Sequence, residues 1–417
     1  MKISKYINIS IFAILFVSVF LFVPQNVEAV ATTRTVCPDP VGSCSPSDPS
    51  FVGASGVAAA ITASVDGDTV SIKNGTYSGF TKFTVSDYDY LVNLNKNVNI
   101  VGESKTGTIL SGAGTDKGTI LLIRTTANVS ISNLTLSTTD YTCPGTPCSY
   151  GNGIEVNSTA GTVSISNINI TGTERQAIWN GGTSVTTLNS CDLSVNYGGL
   201  YTSDTSALTV SNCNIYGNIN YGAFVSENSN LVISNSTIYN NVDGIWYFDN
   251  STGTVSSSVI RNNTSDGVTV DDASIIAVNN NQIYSNANVG LRLFKTSQTT
   301  GTGNTIYSNL YTGHASGVFC SESAVLGTWT NNNVWNNANG NYGSDPVGLC
   351  TDKTGTNGNI SVDPQSLISS STSSSPTLPD TALGNDSFLK IFIAFLAICL
   401  GIIFLSRHFA LIVNIPD

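Results

Sequence analysis

Small residues followed by apolar ones recur through the middle of the chain: Gly153-Ile154, Ala177-Ile178, Gly199-Leu200, Gly222-Ala223, Gly244-Ile245, Gly267-Val268, Gly290-Leu291 and Gly317-Val318. Successive pairs lie 24, 22, 23, 22, 23, 23 and 27 residues apart. A near-constant period in this range is the signature of a solenoid, in which each repeat buries its apolar side against its neighbours. Within a repeat the alternation is that of short strands. Between 208 and 230, Leu208, Val210, Ile215, Ala223 and Val225 fall on the inward side, with turns at Asn212, Asn218 and Glu227-Asn228. Three strands and three turns in about 22–23 residues leave no room for a helix, which excludes leucine-rich and helical repeats. Stacked coils then repeat at about 4.8 Å, with equivalent positions directly above one another.

An asparagine series runs in phase with the period: Asn133, Asn167, Asn189, Asn212, Asn235, Asn280, Asn304 and Asn332, with Ser258 in the missing place. It predicts a turn position, because Asn tolerates left-handed backbone and its amide bonds the neighbouring coil. A solenoid also needs covered ends. The run Val57 to Ile61 predicts a short amphipathic helix over the first coil's open edge, and residues 66–77 read as the first strand and turn.

The two ends of the chain read differently. Lys2 and Lys5, the apolar run Ile7 to Val23 and the small-residue exit Val27 to Ala31 describe a secretory signal over residues 1–31. A second apolar run, residues 388–405, is long enough to span a bilayer. Arg407 and His408 follow it, which puts the tail 406–417 in the cytoplasm and everything before the run outside. Residues 367–387, rich in serine, read as a flexible stalk. The solenoid domain is thereby assigned to residues 32–366.

Charge and cysteines narrow the picture. Only 16 Lys+Arg stand against 27 Asp+Glu, with no basic cluster, so nucleic acid is excluded as a partner. Of nine cysteines, Cys399 lies in the membrane run; the other eight suit local bridges in an oxidising compartment. Pairing Cys37 with Cys44 and Cys143 with Cys148 closes short loops, and Cys320 with Cys350 ties the C-terminal coils. Cys191 and Cys213 fall at nearly equivalent points of adjacent coils, as a bridge or as stacked thiols. Eight cysteines allow 105 connectivities, so spacing alone does not fix the pairing.

The opening segment 66–77, Val98 to Glu103 and Asn359 to Gln365 are similar to the pectate-lyase-like superfamily, over residues 50–366. The resemblance implies an all-β, right-handed parallel β-helix with an N-terminal helical cap. Members of that superfamily include polysaccharide lyases, glycoside hydrolases, copper-maturation periplasmic proteins and surface proteins. Separately, Leu378, Pro379, Asp380, Thr381 and Ala382 resemble a sortase sorting signal, with Ala382 where the motif ends in Gly. That resemblance implies a sortase partner and cell-wall attachment; the apolar tail after Arg407 keeps a plain membrane anchor as the other reading.

The period also shows which outward positions stack. Two residues after each small residue come Trp179, Tyr201, Phe224 and Trp246, a surface row on which the apolar faces of sugars can stack. Five residues after it come Asp204, Glu227, Asp249 and Asp272. Carboxylates at strand spacing must raise their pKa, fan into solvent, or bind a cation such as calcium. Ordinary turn chemistry is the competing account of that row. A third row, Tyr216, Tyr239, Arg261, Tyr284, Tyr307 and Trp335, is read as structural.

The superfamily's lyases use carboxylate-bound calcium with an Arg or Lys base, and its hydrolases use clustered aspartates with a downstream Arg-x-Lys. The nearest match here is Asp271 and Asp272 with Arg292 and Lys295 one coil later. Lys295 stacks on Asp272, so the pair can simply neutralise itself. The Arg292 to Lys295 spacing is one residue too long, no Gly-His-Gly intervenes, and the one exported histidine, His314, comes after both. The expectation is a cell-surface protein that binds polysaccharide or envelope glycans through its aromatic and acidic face without turning them over. A calcium-dependent lyase or hydrolase using Asp249, Asp271, Asp272, Arg292 and Lys295 is the alternative, and a bare spacer the third.

Overall fold

The computed structural model describes residues 31–112, 118–124, 126, 128–138, 151–158 and 161–363. The signal segment (apart from Ala31), the Cys143–Cys148 pair, the stalk, the sorting motif, the membrane run and the tail lie outside these. Among the described residues no helix is long and apolar enough to cross a membrane.

Each coil contributes three short strands, as in Gly198–Thr202, Ala207–Ser211 and Asn214–Tyr216, followed by Tyr221–Val225, Asn230–Ser234 and Thr237–Tyr239. Each of these strands pairs in parallel with its equivalent one coil on. One side of the solenoid is a 12-stranded sheet; the other two sides are joined in a 20-stranded sheet. The join is made by long strands such as Thr162–Thr171 and Val185–Ser194, which run through a corner without breaking. The inward residues stack in files. Ile215, Ile238, Ile260, Ile283 and Ile306 lie directly over one another with no exposed surface. Each such side chain contributes about 1.5–3 kcal/mol by leaving water. The solenoid reading of the sequence therefore stands.

The corners explain the asparagines and correct one reading. At each corner one outward residue takes left-handed backbone: Asn212, Asn235, Ser257 and Asn280 at one corner, with φ between 48° and 56°. The next residue points inward and forms a buried rung. At that corner the rungs include Cys191, Cys213, Ser236, Ser258, Asn281, Asn304 and Asn332. The predicted asparagine series thus mixes two adjacent positions: Asn304, Asn332 and Ser258 belong to the inward file, and Asn189 precedes the left-handed Ser190. Asn218, expected in a turn, is likewise buried. It belongs to an inward ladder, Asn196, Asn218, Asn241, Asn263, Asn286 and Asn309, whose side-chain amides bond one to the next. Each rung also accepts the backbone N–H of the previous rung, which would otherwise be orphaned inside the corner.

Among the described residues three disulfides are formed: Cys37–Cys44, Cys191–Cys213 and Cys320–Cys350. The Cys191–Cys213 bridge takes the place of two rungs.

At the N-terminal end helix α1, Gly53–Ala63, turns Val57, Ala60 and Ile61 inward over the first coil. Its exit is tied down by Lys96, whose ammonium donates to the carbonyls of Thr62 and Ser64. Beneath it Asp68, with no exposed side-chain surface, accepts hydrogen bonds from the Thr32 N–H and hydroxyl and the Val65 N–H, and pairs with Arg34 at 2.9 Å. Burial pushes the Asp68 carboxyl up. The hydrogen bonds and Arg34 outweigh it and bring the pKa from 3.8 to about 2. A lowered carboxylate pKa gives stability that is present above 3.8 and is lost as pH falls towards 2. Hydrogen exchange of Thr32 and Val65 should accelerate over that window in the wild type. An Asp68→Asn variant that kept the same acid dependence would refute this assignment.

Candidate functional site

The outward face of the 12-stranded sheet collects most of the side chains singled out from the sequence. Trp179, Tyr201, Phe224 and Trp246 occupy consecutive strands in register, and all four are half-buried. Their arrangement differs from an open platform. Trp179 and Tyr201 stack at 6.2 Å, and Tyr201 and Phe224 at 5.5 Å, so these rings cover one another's faces and turn their edges outward. Strand spacing near 4.8 Å is close to ring stacking distance, which makes this the natural packing of aromatic rings in a parallel file.

Trp246 breaks the stack. Its ring is turned 63° from Phe224 and 73° from Phe248. The polar edges of Trp179 and Tyr201 have partners on the next coil, two residues past the ring stacked on them: Trp179 Nε1 donates to Ser203 Oγ at 3.0 Å, and Tyr201 Oη lies 3.2 Å from Ser226 Oγ. For Trp246 the same register leads to Asp271, two residues after Thr269 on the next coil, and that carboxylate faces Lys295 at 3.3 Å instead. Among the described residues the buried Trp246 Nε1 has no acceptor.

The acidic row lies at the corner that ends each of these strands. Asp204, Glu227, Asp249, Asp272, Lys295 and Glu322 all have left-handed backbone, φ 53–61°. Their carboxylates do not simply repel. Asp204 accepts the Gly182 N–H, Glu227 accepts the Asp204 N–H, and Asp249 accepts the Glu227 N–H, each bond reaching back one coil. No group of three or more His, Cys, Asp or Glu able to hold a metal is found among the described residues. The carboxylates are strung along the axis, one per coil. Asp249, Asp272, Lys295 and Glu322 line a shallow groove of about 490 Å³ along the corner.

Of the four residues grouped as a catalytic set, three come together. Lys295 Nζ lies 2.5 Å from Asp272 and 3.3 Å from Asp271, and sits 5.4 Å from the Phe248 ring. The hydrogen bond to Asp272 is the main cause that raises the Lys295 pKa, favouring its charged form. Arg292 goes elsewhere, to Asp266 at 3.3 Å, between the rings of Phe294 and Tyr311. Asp266 was not singled out from the sequence. It is buried, which pushes its carboxyl up. Arg292, the Val289 N–H and the Thr269 hydroxyl pull the other way. The signal that could have found it is its register, 23 residues after Asp243 in the file that precedes each glycine.

Two further features bound the face. At its N-terminal end Glu155, one strand before Trp179, is buried and hydrogen-bonded by Tyr90 at 3.1 Å; burial raises its pKa. At its C-terminal end the longest coil step carries Tyr311 and His314. His314 lies flat on Phe319, with centroids 3.5 Å apart.

The model of the right handed beta helix region matches residues 68–254, 152–306 and 243–361 of the chain, overlapping spans that cover well over half of it. The chain belongs to this right-handed β-helix family. Among solved structures, this β-helix resembles the A-module of the mannuronan C-5 epimerase AlgE6 of Azotobacter vinelandii, with 19% identity, 75% of this chain and 96% of that one covered, and a TM-score of 0.55. The A-module of AlgE4 from the same organism gives 14% identity, 70% and 84% coverage, and a TM-score of 0.51. The Agl-KA catalytic domain gives 15%, 67% and 55%, and 0.52. At such identities the likeness is one of fold. No curated protein matches the chain.

Proposed function

We propose that this β-helix is an exported protein whose 12-stranded sheet binds polysaccharide along its outward face, with Trp246 as the anchor. The observation that carries the proposal is the in-register, half-buried row Trp179, Tyr201, Phe224 and Trp246 on the outward face, whose last ring turns out of the stack. A file of half-buried rings with one ring turned suits the apolar faces of sugars, which stack on aromatic side chains. Two further points lend support: similar folds carry mannuronan epimerase modules, and three disulfides fit an oxidising compartment. Binding without turnover is favoured, because Lys295 and Arg292 are each paired with carboxylates. Export through residues 1–31 and anchoring through 388–405, with or without sortase cleavage after Thr381, belong to the same proposal.

Glycan-array binding and calorimetry test it. Trp246→Ala should weaken binding of any glycan hit by about tenfold or more, as central aromatic anchors do. Tyr239→Ala, on another side of the solenoid, should leave it unchanged. Equal losses from the two variants, or an array without hits, would reject the reading. Release of unsaturated or reducing ends from a hit would reject the non-catalytic part.

A further inference from the structure

Resting on that reading, we infer that the face selects neutral, hydroxyl-rich glycans and excludes polyuronates, which sets it apart from a mannuronan-acting module of similar fold. Two observations carry this. The first is charge. Along the aromatic stretch the exposed or half-buried carboxylates Asp204, Glu227 and Asp249 run one per coil beside Tyr201, Phe224 and Trp246. Among the described residues no cation forms a salt bridge with them. The cations further along, Arg292 and Lys295, face Asp266, Asp271 and Asp272, so that end carries no positive excess either. A polymer with one carboxylate per sugar, laid along this axis, would meet like charge at nearly every coil.

The second observation is hydrogen-bond polarity. Asp204 and Glu227 each turn one oxygen to a backbone N–H of the preceding coil, and those bonds leave the other oxygen of each as an acceptor. A ligand that meets these oxygens must donate. Sugar hydroxyls donate, whereas an ionised carboxylate only accepts.

Binding of the full chain should be compared for neutral glucans and mannans against alginate and polygalacturonate of matched length, at low and high salt. The neutral polymers should bind about tenfold or more tightly at low ionic strength, with the ratio shrinking as salt screens the repulsion. The triple variant Asp204→Asn, Glu227→Gln, Asp249→Asn keeps a turn-compatible side chain and an acceptor oxygen. It should raise polyuronate affinity several-fold and so narrow the preference for the neutral polymer. Thermal melting confirms that it is folded. Preference of the wild type for a polyuronate, or a ratio unmoved in the triple variant, would overturn the inference while sparing the polysaccharide reading. Failure of both polymer classes to bind would remove that reading as well.

Discussion

Asn263→Leu should destabilise the solenoid by about 3–5 kcal/mol, although leucine is the more apolar residue at a fully interior site. Asn263 is 1% exposed and accepts both the backbone N–H and the side-chain amide of Asn241, at 3.0 and 3.2 Å. Leucine leaves both donors buried and unpaired, each at a cost of about 1–3 kcal/mol, and water has no route to a rung closed above and below. Asn262, one residue earlier, is exposed with φ 54°, and Asn262→Gly should change stability by less than about 0.5 kcal/mol. Denaturant unfolding followed by circular dichroism distinguishes them. Similar losses for the two neighbours would mean that the ladder contributes no more than the turn.

The second large effect concerns how closely coils approach. A Cβ on Gly244 would lie 2.3 Å from the Gly267 carbonyl oxygen and 2.9 Å from Asn263 Nδ2 and Ile260 Cγ2. That carbonyl accepts the Ile245 N–H at 3.0 Å, so the clash falls on a bond that holds the two coils together. Gly244→Ala should therefore cost about 2–4 kcal/mol, more than an ordinary overpacked core position, because backbone rather than side chain must move. Amide exchange should quicken in the strands on either side of residue 244 and stay slow near α1, since coils contact only their neighbours. A loss below about 1 kcal/mol, or exchange raised evenly along the chain, would show that the spacing is softer than this contact requires.

The same glycines made the fold legible. A small residue is needed wherever a corner asparagine and a carbonyl of the next coil converge, as at Gly199, Gly222, Gly244 and Gly267, and that need recurs once per coil. Files of equivalent residues followed directly, so the aromatic and acidic rows were placed on the right strands and corners. Asparagine was ambiguous because it serves two adjacent positions for different reasons: left-handed backbone at Asn280, and donor with acceptor at Asn281. Orientation within a file was not legible. Whether Trp246 continues the stack or turns out of it depends on Phe248 beside it, a contact across the strand that no period encodes. The partner of Arg292 was missed for a related reason. Period reasoning follows files along the axis, and Asp266 lies in a different file on the same face.

The asparagine ladders have a polarity that the β-sheets lack. Each side-chain carbonyl accepts from the coil before, and each amide donates to the coil after. The direction is the same from Asn196 to Asn309 and again from Asn281 to Asn332. Two files of parallel amide dipoles, each polarising the next, give the rod an electrical axis with its positive pole towards the C-terminal coils. The molecule therefore has a head and a tail in an applied field, and reversing one rung would set two acceptors, or two donors, facing each other across a coil.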